Sequence, residues 1–507
     1  MDRIHLLLDD KPADDLAIID HDGRRVTFGD LRHMAQCLAE ALTLHGIRPG
    51  DRLALIAENS AFYAAAIMAA SMNDAWITLV NARQSETEIA DIMAHSGARA
   101  AIFTTDASAE ARAHAARMQA TEIGTLPMGP NMGPNMGPIL ASPIRDALPE
   151  PCTASGDQIA ALLYTTGTTS TPKAVMLRHR NLYFNAVNSA AYNALAPGDQ
   201  VLAILPGTHV YGFASLFITA MHAGAAIRFV PRFDPADTLA HLRDGVTIFP
   251  GVPAMFAALL AHLSQTGAPL DAPRLRSIGA GGAPLDPDLK IRIEALFGLP
   301  LSNGYGLTET TAAVSISSKS APQSDISVGA PVPGVDVRID APNAQGIGEV
   351  LIRGGNVMAG YYRDPAQSAA VLGPGGWFRS GDLGWLEEDG RLHISGRLKE
   401  LIIRSGFNIY PPEIEAMLTR HPAIRQAAVI GRKHGGDEEI LAFVLTDGSV
   451  TEPMIEKWLR RRLAAYKIPQ HILIVEAYPV AATGKILKHR LVSHFADLLA
   501  ARAAIEA

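Results

Sequence analysis

The chain has 507 residues, too many for one small domain and enough for two to four. With 48% hydrophobic and 19% charged residues it can build a sizeable core, and a formal net charge of −7 argues against a general nucleic-acid binder. Two cysteines, Cys37 and Cys152, imply no disulfide framework and fit a reducing cytosol.

The opening "MDRIHLLLDDKPADD" lacks the basic start and long apolar core of a signal peptide, so a cytoplasmic protein is expected. "DRLALIAENS" at Asp51 to Ser60 is a short apolar run ending in cap residues; "AFYAAAIMAASM" then predicts a helix, and "AWITLV" at Ala75 to Val80 the next strand. This strand–helix–strand order is a βαβ unit with parallel sheet. The apolar stretch Ala61 to Ala70 is too short for a membrane span. Strands follow at "AAIFTT", "IAALLYTT", "VLAILP", "AAIRFV", "VTIFPG" and "SIGAGG". Between them "MGPNMGPNMGP", Met128 to Pro138, repeats a Gly- and Pro-rich unit that predicts a mobile surface loop without regular structure. After about Val328 short β-like pieces take over. Beyond Glu400 a compact α+β unit is expected, with one helix in "PPEIEAMLTR" and a second in "TEPMIEKWLRRRL". Thr451 would cap the second helix, Ile455, Trp458, Leu459 and Leu463 would form its apolar stripe, and Arg460 to Arg462 its solvated face. The expected fold class is α/β: a large N-terminal domain of βαβ-type sheets with a β-rich subdomain, over residues 1–398, and a small mobile α+β domain over 399–507.

"YTTGTTSTPKAVML", Tyr164 to Leu177, resembles a phosphate loop. From Gly167 to Lys173 the spacing is that of a Walker A loop, yet Pro172 has no N–H to offer phosphate and Ala174 has no hydroxyl for magnesium. A Walker-type NTPase is excluded. Hydroxyls of Thr165, Thr166, Thr168, Thr169, Ser170 and Thr171, a tight turn at Gly167 and the charge of Lys173 could still wrap a polyphosphate. A polar turn between a strand and a helix is the alternative that this stretch alone leaves open.

Three further motifs follow it in order: "GYGLTETT" at Gly304 to Thr311, "WFRSGDLGWLEEDGRLHISGRLKELIIRSGFNIYPPEIE" at Trp377 to Glu415, and "ATGKILKHRL" at Ala482 to Leu491. The set resembles the acyl-adenylate-forming (AMP-binding) superfamily of acyl-CoA synthetases, 4-coumarate-type aryl-CoA ligases and amino-acid adenylation domains, from about Val26 to Leu491. Ser170 and Ala174 depart from its pattern, standing where members usually carry glycine. The resemblance implies a reaction in two halves, in which a carboxylate attacks the α-phosphorus of ATP and a thiol, usually of coenzyme A, displaces AMP from the acyl-AMP.

It also implies residue roles. Thr165, Thr168, Thr169 and Lys173 would hold the β- and γ-phosphates. Tyr305 would stack on adenine, with Gly281, Gly282 and Ala283 of "GAGGAP" as the other wall of the slot. Thr308 would contact the α-phosphate and Glu309 would hold Mg²⁺, a hard cation suited to carboxylate oxygen. Asp382 would bind the ribose from a turn, with Arg397 beside it. Lys485 would bridge the attacking carboxylate and the α-phosphate, where negative charge builds. Lys399 would be the hinge about which the tail swings, bringing Ser405 and Gly406 to the thiol tunnel.

His209 and Tyr211 match the H-x-[YF] element of fatty-acyl and 4-coumarate-type ligases, the histidine bordering the acyl carboxylate and the aromatic lining the pocket with Gly279 and Gly304. No acidic residue lies between Pro206 and Val230 to receive a substrate ammonium. Malonate-type ligases place an arginine where Gly304 stands. An apolar monocarboxylic acid, aromatic or medium- to long-chain, is therefore expected. The expected product is its CoA thioester. The alternative is an acyl-AMP ligase that loads a carrier protein; no "GxDSL" carrier motif follows Leu491. Expected partners are the acid, ATP with Mg²⁺ and coenzyme A, with neither nucleic acid nor membrane, and the chain acting as monomer or homodimer.

Overall fold

The computed structural model describes residues 3–127, 137–165, 173–318, 323–404, 407–434, 437–480 and 486–500. Its first sheet runs Ser315–Ile316, Leu301–Tyr305, Ser277–Gly281, Ile248–Gly251, Gln200–Ala203, Ala226–Phe229, Leu16–Ile19 and Arg25–Thr27. All neighbours are parallel except the two edge strands, which pair antiparallel. The second sheet runs Gly360–Tyr361, Lys173–Arg178, Ile159–Thr165, Trp76–Asn81, Arg52–Ala57, Ala100–Phe103, Gly137–Ala141 and Thr121–Leu126. Its central four strands are parallel. All the strands expected from the apolar runs are present, and the mixed α/β architecture is the one expected.

The helix Ala61–Met72 explains how the sheets come together. Ser60 caps it by accepting from the Tyr63 N–H, and every residue from Ala61 to Ser71 is buried. A helix apolar on all faces has to be covered on all faces. One side packs on the second sheet's strands Arg52–Ala57 and Trp76–Asn81. On the other, the Tyr63 ring meets Phe217 and Phe229 edge-on at 5.6 and 6.0 Å, the latter in the first sheet.

An antiparallel sheet of Val335–Asp340, Gly348–Gly354, Phe378–Leu386 and Leu392–Arg397 follows. The tail then forms its own apolar clusters, around Ile402, Ile414, Val444 and Leu459 and around Phe443 and Leu491. Both expected tail helices form, as Pro411–Thr419 and Glu452–Arg460. Ile414, Leu418, Ile455 and Leu459 are buried, while Arg460 to Arg462 are exposed. Thr451 occupies the cap position, but its side chain makes no capping bond.

Of the Gly- and Pro-rich repeat, residues 128–136 lie outside the described residues. Gly137 and Pro138 do not belong to an irregular loop: they open the strand Gly137–Ala141, paired with Leu126 and Thr125. Pro138 is tolerated because Ala100–Phe103 pairs only at Ala141, so no ladder N–H is needed there. Among the described residues no helix is long and apolar enough to cross a membrane.

Candidate active site

Parallel strands leave their C-terminal ends along one sheet edge, where loops can converge on a ligand. In the first sheet Gly281 and Gly304 are register partners at this edge. A Cβ on Gly281 would stand 3.2 Å from Tyr211 Cε1 and 3.4 Å from the Gly304 carbonyl oxygen, so bulk here would close the space beside the tyrosine. Gly279 pairs with Ser302 one step back, and Gly282, at φ +77°, leads into the exposed turn that carries Ala283. Tyr211 opens a π-helical turn, Tyr211–Ile218, a geometry frequent at functional sites. Burial holds its phenol above the ordinary tyrosine value. His209 is exposed, and its Nδ1 accepts from the Tyr211 N–H at 3.3 Å.

Beside this wall lies a second group. Tyr305 ends the strand Leu301–Tyr305 and donates its hydroxyl to Asp382 Oδ2 at 2.7 Å. Arg397 Nε sits 3.2 Å from Asp382 Oδ1. Asp382 is 4% exposed, and Arg397 is its cross-strand partner, which fixes their approach. Burial and this carboxylate push the Tyr305 phenol well above its ordinary value. Asp382 is not in a turn, as its neighbouring glycine suggested. It sits inside the strand Phe378–Leu386, where Gly381 takes φ +70° within the register shift between Arg379 and Leu383 against Gly348–Gly354 and so re-aims the side chain.

The third group surrounds Glu309. Residues 308–310 form a single 3-10 turn, followed by Thr311 and Ala312 in the left-handed region at φ +51° and +76°. Such backbone costs energy and persists only when its surroundings impose it. Here Thr311 Oγ1 donates to the Asn356 carbonyl at 2.7 Å, Asn356 Nδ2 to the Ala313 carbonyl at 2.9 Å, and the Ala313 N–H to Asn185 Oδ1 at 3.2 Å. Gly306 is required by the chain's own return: a Cβ would lie 1.2 Å from the Ala312 carbonyl oxygen. The turn thus buries Thr308 and presents Glu309, whose Oε1 accepts the Tyr361 hydroxyl at 2.9 Å. Lys173 Nζ stands 5.3 Å from the centre of the Tyr361 ring.

Thr165 and Lys173 are opposite each other in the antiparallel pair Ile159–Thr165 and Lys173–Arg178. The phosphate-loop candidate is therefore followed by a strand, not a helix. Lys399 lies within electrostatic reach of Lys173, Arg397 and Asp382; desolvation and the charge of Arg397 lower its ammonium pKa. The second and third groups thus lie near each other and, with Lys399, carry two lysines, an arginine and two carboxylates. Thr166, Gly167, Thr168, Thr169, Ser405, Gly406 and Lys485 lie outside the described residues.

Two tyrosines that no motif singles out belong to this site. Tyr361 joins Lys173 to Glu309; its only trace in the sequence is an aromatic pair after Gly360. Tyr192, from the helix His179–Asn193, donates to the Ser317 carbonyl and shares a hydrogen bond with the Ser302 hydroxyl at 3.0 Å, behind the Gly279 wall. Helical periodicity gave it no distinguishing mark.

Comparison with known proteins identifies the family of the chain. Residues 8–362 match the AMP-binding enzyme family, and residues 413–485 match the AMP-binding enzyme C-terminal domain. The chain is 33% identical over 480 residues to a feruloyl-CoA synthase of Amycolatopsis sp, covering 92% of this chain and 94% of that protein. It is 33% identical over 491 residues to 4-coumarate–CoA ligase 5 of Oryza sativa subsp. japonica, covering 92% and 89%. The crystal structure of ATP-bound MatB from Rhodopseudomonas palustris superposes with a TM-score of 0.81 at 27% identity, covering 98% of this chain and 100% of that one. The chain belongs to the AMP-binding enzyme family and is acyl-CoA-synthetase-like within it.

Proposed function

We propose that the protein is an ATP-dependent acid–CoA ligase that activates an apolar monocarboxylic acid as its acyl-adenylate and transfers the acyl group to coenzyme A. The observation that carries the substrate class is the wall formed by Tyr211, Gly279, Gly281 and Gly304, backed by Tyr192 and Ser302, where no described side chain is charged. A second substrate carboxylate would be desolvated there without a partner, at a cost of several kcal/mol. The named activities of the feruloyl-CoA and 4-coumarate relatives support an aromatic acid with an apolar body.

In the first half-reaction the acid's carboxylate oxygen bonds to the α-phosphorus of ATP and pyrophosphate leaves. Two anions meet, so cations and donors must gather at the phosphates. Lys173 and the threonines of its hairpin hold the β- and γ-phosphates, Thr308 meets the α-phosphate, Asp382 receives the ribose hydroxyls with Arg397 beside it, and the Tyr305 ring covers the adenine against Gly281 to Ala283. The donor set fits Mg²⁺: the Glu309 carboxylate is a hard oxygen ligand, oriented by the Tyr361 hydroxyl. Bound there, Mg²⁺ supplies charge neutralisation to the triphosphate. Lys485 bridges the attacking carboxylate and the α-phosphate, and His209 borders the carboxylate.

In the second half-reaction the thiol sulfur bonds to the acyl carbon and AMP leaves. The tail domain, residues 399–507, turns about Lys399, withdrawing Lys485 and bringing Ser405 and Gly406 to the thiol. The test is kcat/KM across cinnamate-like, benzoate-like, C6–C12 fatty and dicarboxylic acids, with coenzyme A or a holo-carrier protein as acceptor. Thioester formation on coenzyme A from monocarboxylic acids is expected. Preference for a dicarboxylate overturns the pocket reading, and transfer to the carrier alone overturns the acceptor.

A further inference from the structure

A second cluster of ligating side chains lies away from this site, where the two large sheets meet. Asp20 follows the first sheet's strand Leu16–Ile19, His21 is the next residue, and Asp106 sits in the turn after the second sheet's strand Ala100–Phe103. One ligand atom from each lies within 4.8 Å of the others.

The partners of Asp20 are unevenly divided. Its Oδ1 accepts from the His21 N–H at 2.9 Å and the Ala61 N–H at 3.0 Å, and faces His21 Nδ1 at 3.1 Å. Its Oδ2 has no hydrogen-bond donor among the described residues, although Asp20 is only 3% exposed. Asp106 Oδ2 is likewise buried without a donor, the nearest cation being Arg24 Nη2 at 4.0 Å. A buried carboxylate oxygen left without a donor is expensive, and two such oxygens from neighbouring carboxylates more so. The surrounding charge is also unbalanced: Asp20, Asp22 and Asp106 face the single guanidinium of Arg24, which pairs with Asp22. Even with one proton held by the cluster, a negative charge remains.

We infer that Asp20, His21 and Asp106 form a structural site for a divalent transition ion of the zinc class. One imidazole nitrogen with two carboxylate oxygens is a borderline donor set that suits Zn²⁺ better than Mg²⁺ or Ca²⁺. Bonds of about 2.1 Å draw such donors to about 3–3.5 Å apart, so binding must contract the cluster, and the loop position of Asp106 permits this. Coordination needs both carboxylates ionised and the ring nitrogen free, so a proton held by the cluster leaves as the ion enters. A cavity of about 540 Å³ opens beside the cluster at His21, Ser108 and Glu110. Because Asp20 also receives the first N–H of the helix Ala61–Met72, the ion would tie both sheets and that helix at one point.

The experiment uses the untagged full chain, stripped with a chelator and free of ATP, titrated calorimetrically with ZnCl₂ alongside Asp106→Asn and His21→Gln. One zinc ion per chain is expected, with Tm raised by about 2 °C or more at saturation. Either substitution should weaken binding at least tenfold. Mn²⁺ should bind more weakly than Zn²⁺, and Mg²⁺ should leave Tm unchanged. The inference fails if the unmodified chain takes up no stoichiometric zinc, or if both variants bind it as tightly. It also fails if Asp106→Asn stabilises the metal-free chain while zinc has no effect on the parent, the signature of a proton shared between the carboxyls.

Discussion

The body from Ile4 to Leu392 and the tail from Ile402 to Leu499 each have an apolar interior, but the seam between them is of a different kind. The body shares one continuous apolar cluster that runs through both large sheets. The tail has clusters of its own, and none of their buried members lies in the body. The described side-chain links between the two are polar: Thr419 Oγ1 to Asp286 Oδ2 at 3.3 Å, Arg420 to Asp288 at 3.9 Å, and Asn343 Nδ2 to the Tyr410 hydroxyl at 3.3 Å. Links of this kind contribute about 1 kcal/mol or less each, and water can replace them. Buried apolar surface cannot be exchanged so cheaply. The proposed swing of the tail would thus exchange weak polar links and leave the apolar template of the body intact.

The severest way to break the template is Gly306→Ala. Its Cβ cannot coexist with the Ala312 carbonyl, so a loss of at least about 3 kcal/mol in folding free energy is expected, read from denaturant midpoints. Next comes Lys485→Ala, which should slow acyl-AMP formation about a hundredfold or more while sparing thioester formation from supplied acyl-AMP. Equal losses in both half-reactions, measured in single turnovers, would remove the tail from the first step. Lys399→Pro should act in the opposite sense. Proline is compatible with the first turn at Leu398–Glu400 but locks φ near about −65°. Pyrophosphate release should persist while thioester output falls about tenfold or more, and an unchanged thioester rate would refute the hinge.

Acid should weaken the body through His179. This histidine is 1% exposed, and its Nδ1 accepts the Ile4 N–H at 3.2 Å, which requires the neutral ring. Burial, with Arg3 and His5 adding like charge, lowers its pKa from 6.5 to about 3. With the folded value below the unfolded one, its contribution is complete above pH 6.5 and is lost as pH falls toward 3, by about 1.4 kcal/mol per unit. His179→Gln should flatten that part of the stability–pH curve. The smallest effect is expected from Asp288→Ala. Losing one long surface ion pair should alter either half-reaction less than about threefold, and a larger change would mean the polar seam is more rigid than its chemistry suggests.

Much of this division could be read from the residues. Apolar runs bounded by turns marked the sheet strands because buried parallel strands need apolar residues on both faces. Ordered motifs located Lys173, Tyr305, Glu309, Asp382 and Arg397, whose side chains the fold brings into neighbouring groups. The path of the backbone between them was less legible. Asp382 looked like a turn residue because Gly381 precedes it, yet a glycine at positive φ can sit inside a strand. Gly306 answers to the Ala312 carbonyl, a return of the chain that the motif around Tyr305 does not announce. Tyr361 and Tyr192 reach the site from distant segments, and a contact of that kind has no local periodicity to betray it.

The alanines of the helix Ala61–Met72 set a dimension as well as a core. Lys173 and Tyr361 come from the second sheet, Tyr305 and Gly281 from the first, and that buried helix is packed between the two. Its methyl groups therefore act as a gauge block for the cleft: their thickness sets how far Lys173 and Tyr361 stand from Tyr305 and Gly281. A longer side chain there would have no solvent to escape into and would force the sheets apart. The reach of the site thus rests on residues of the core behind it.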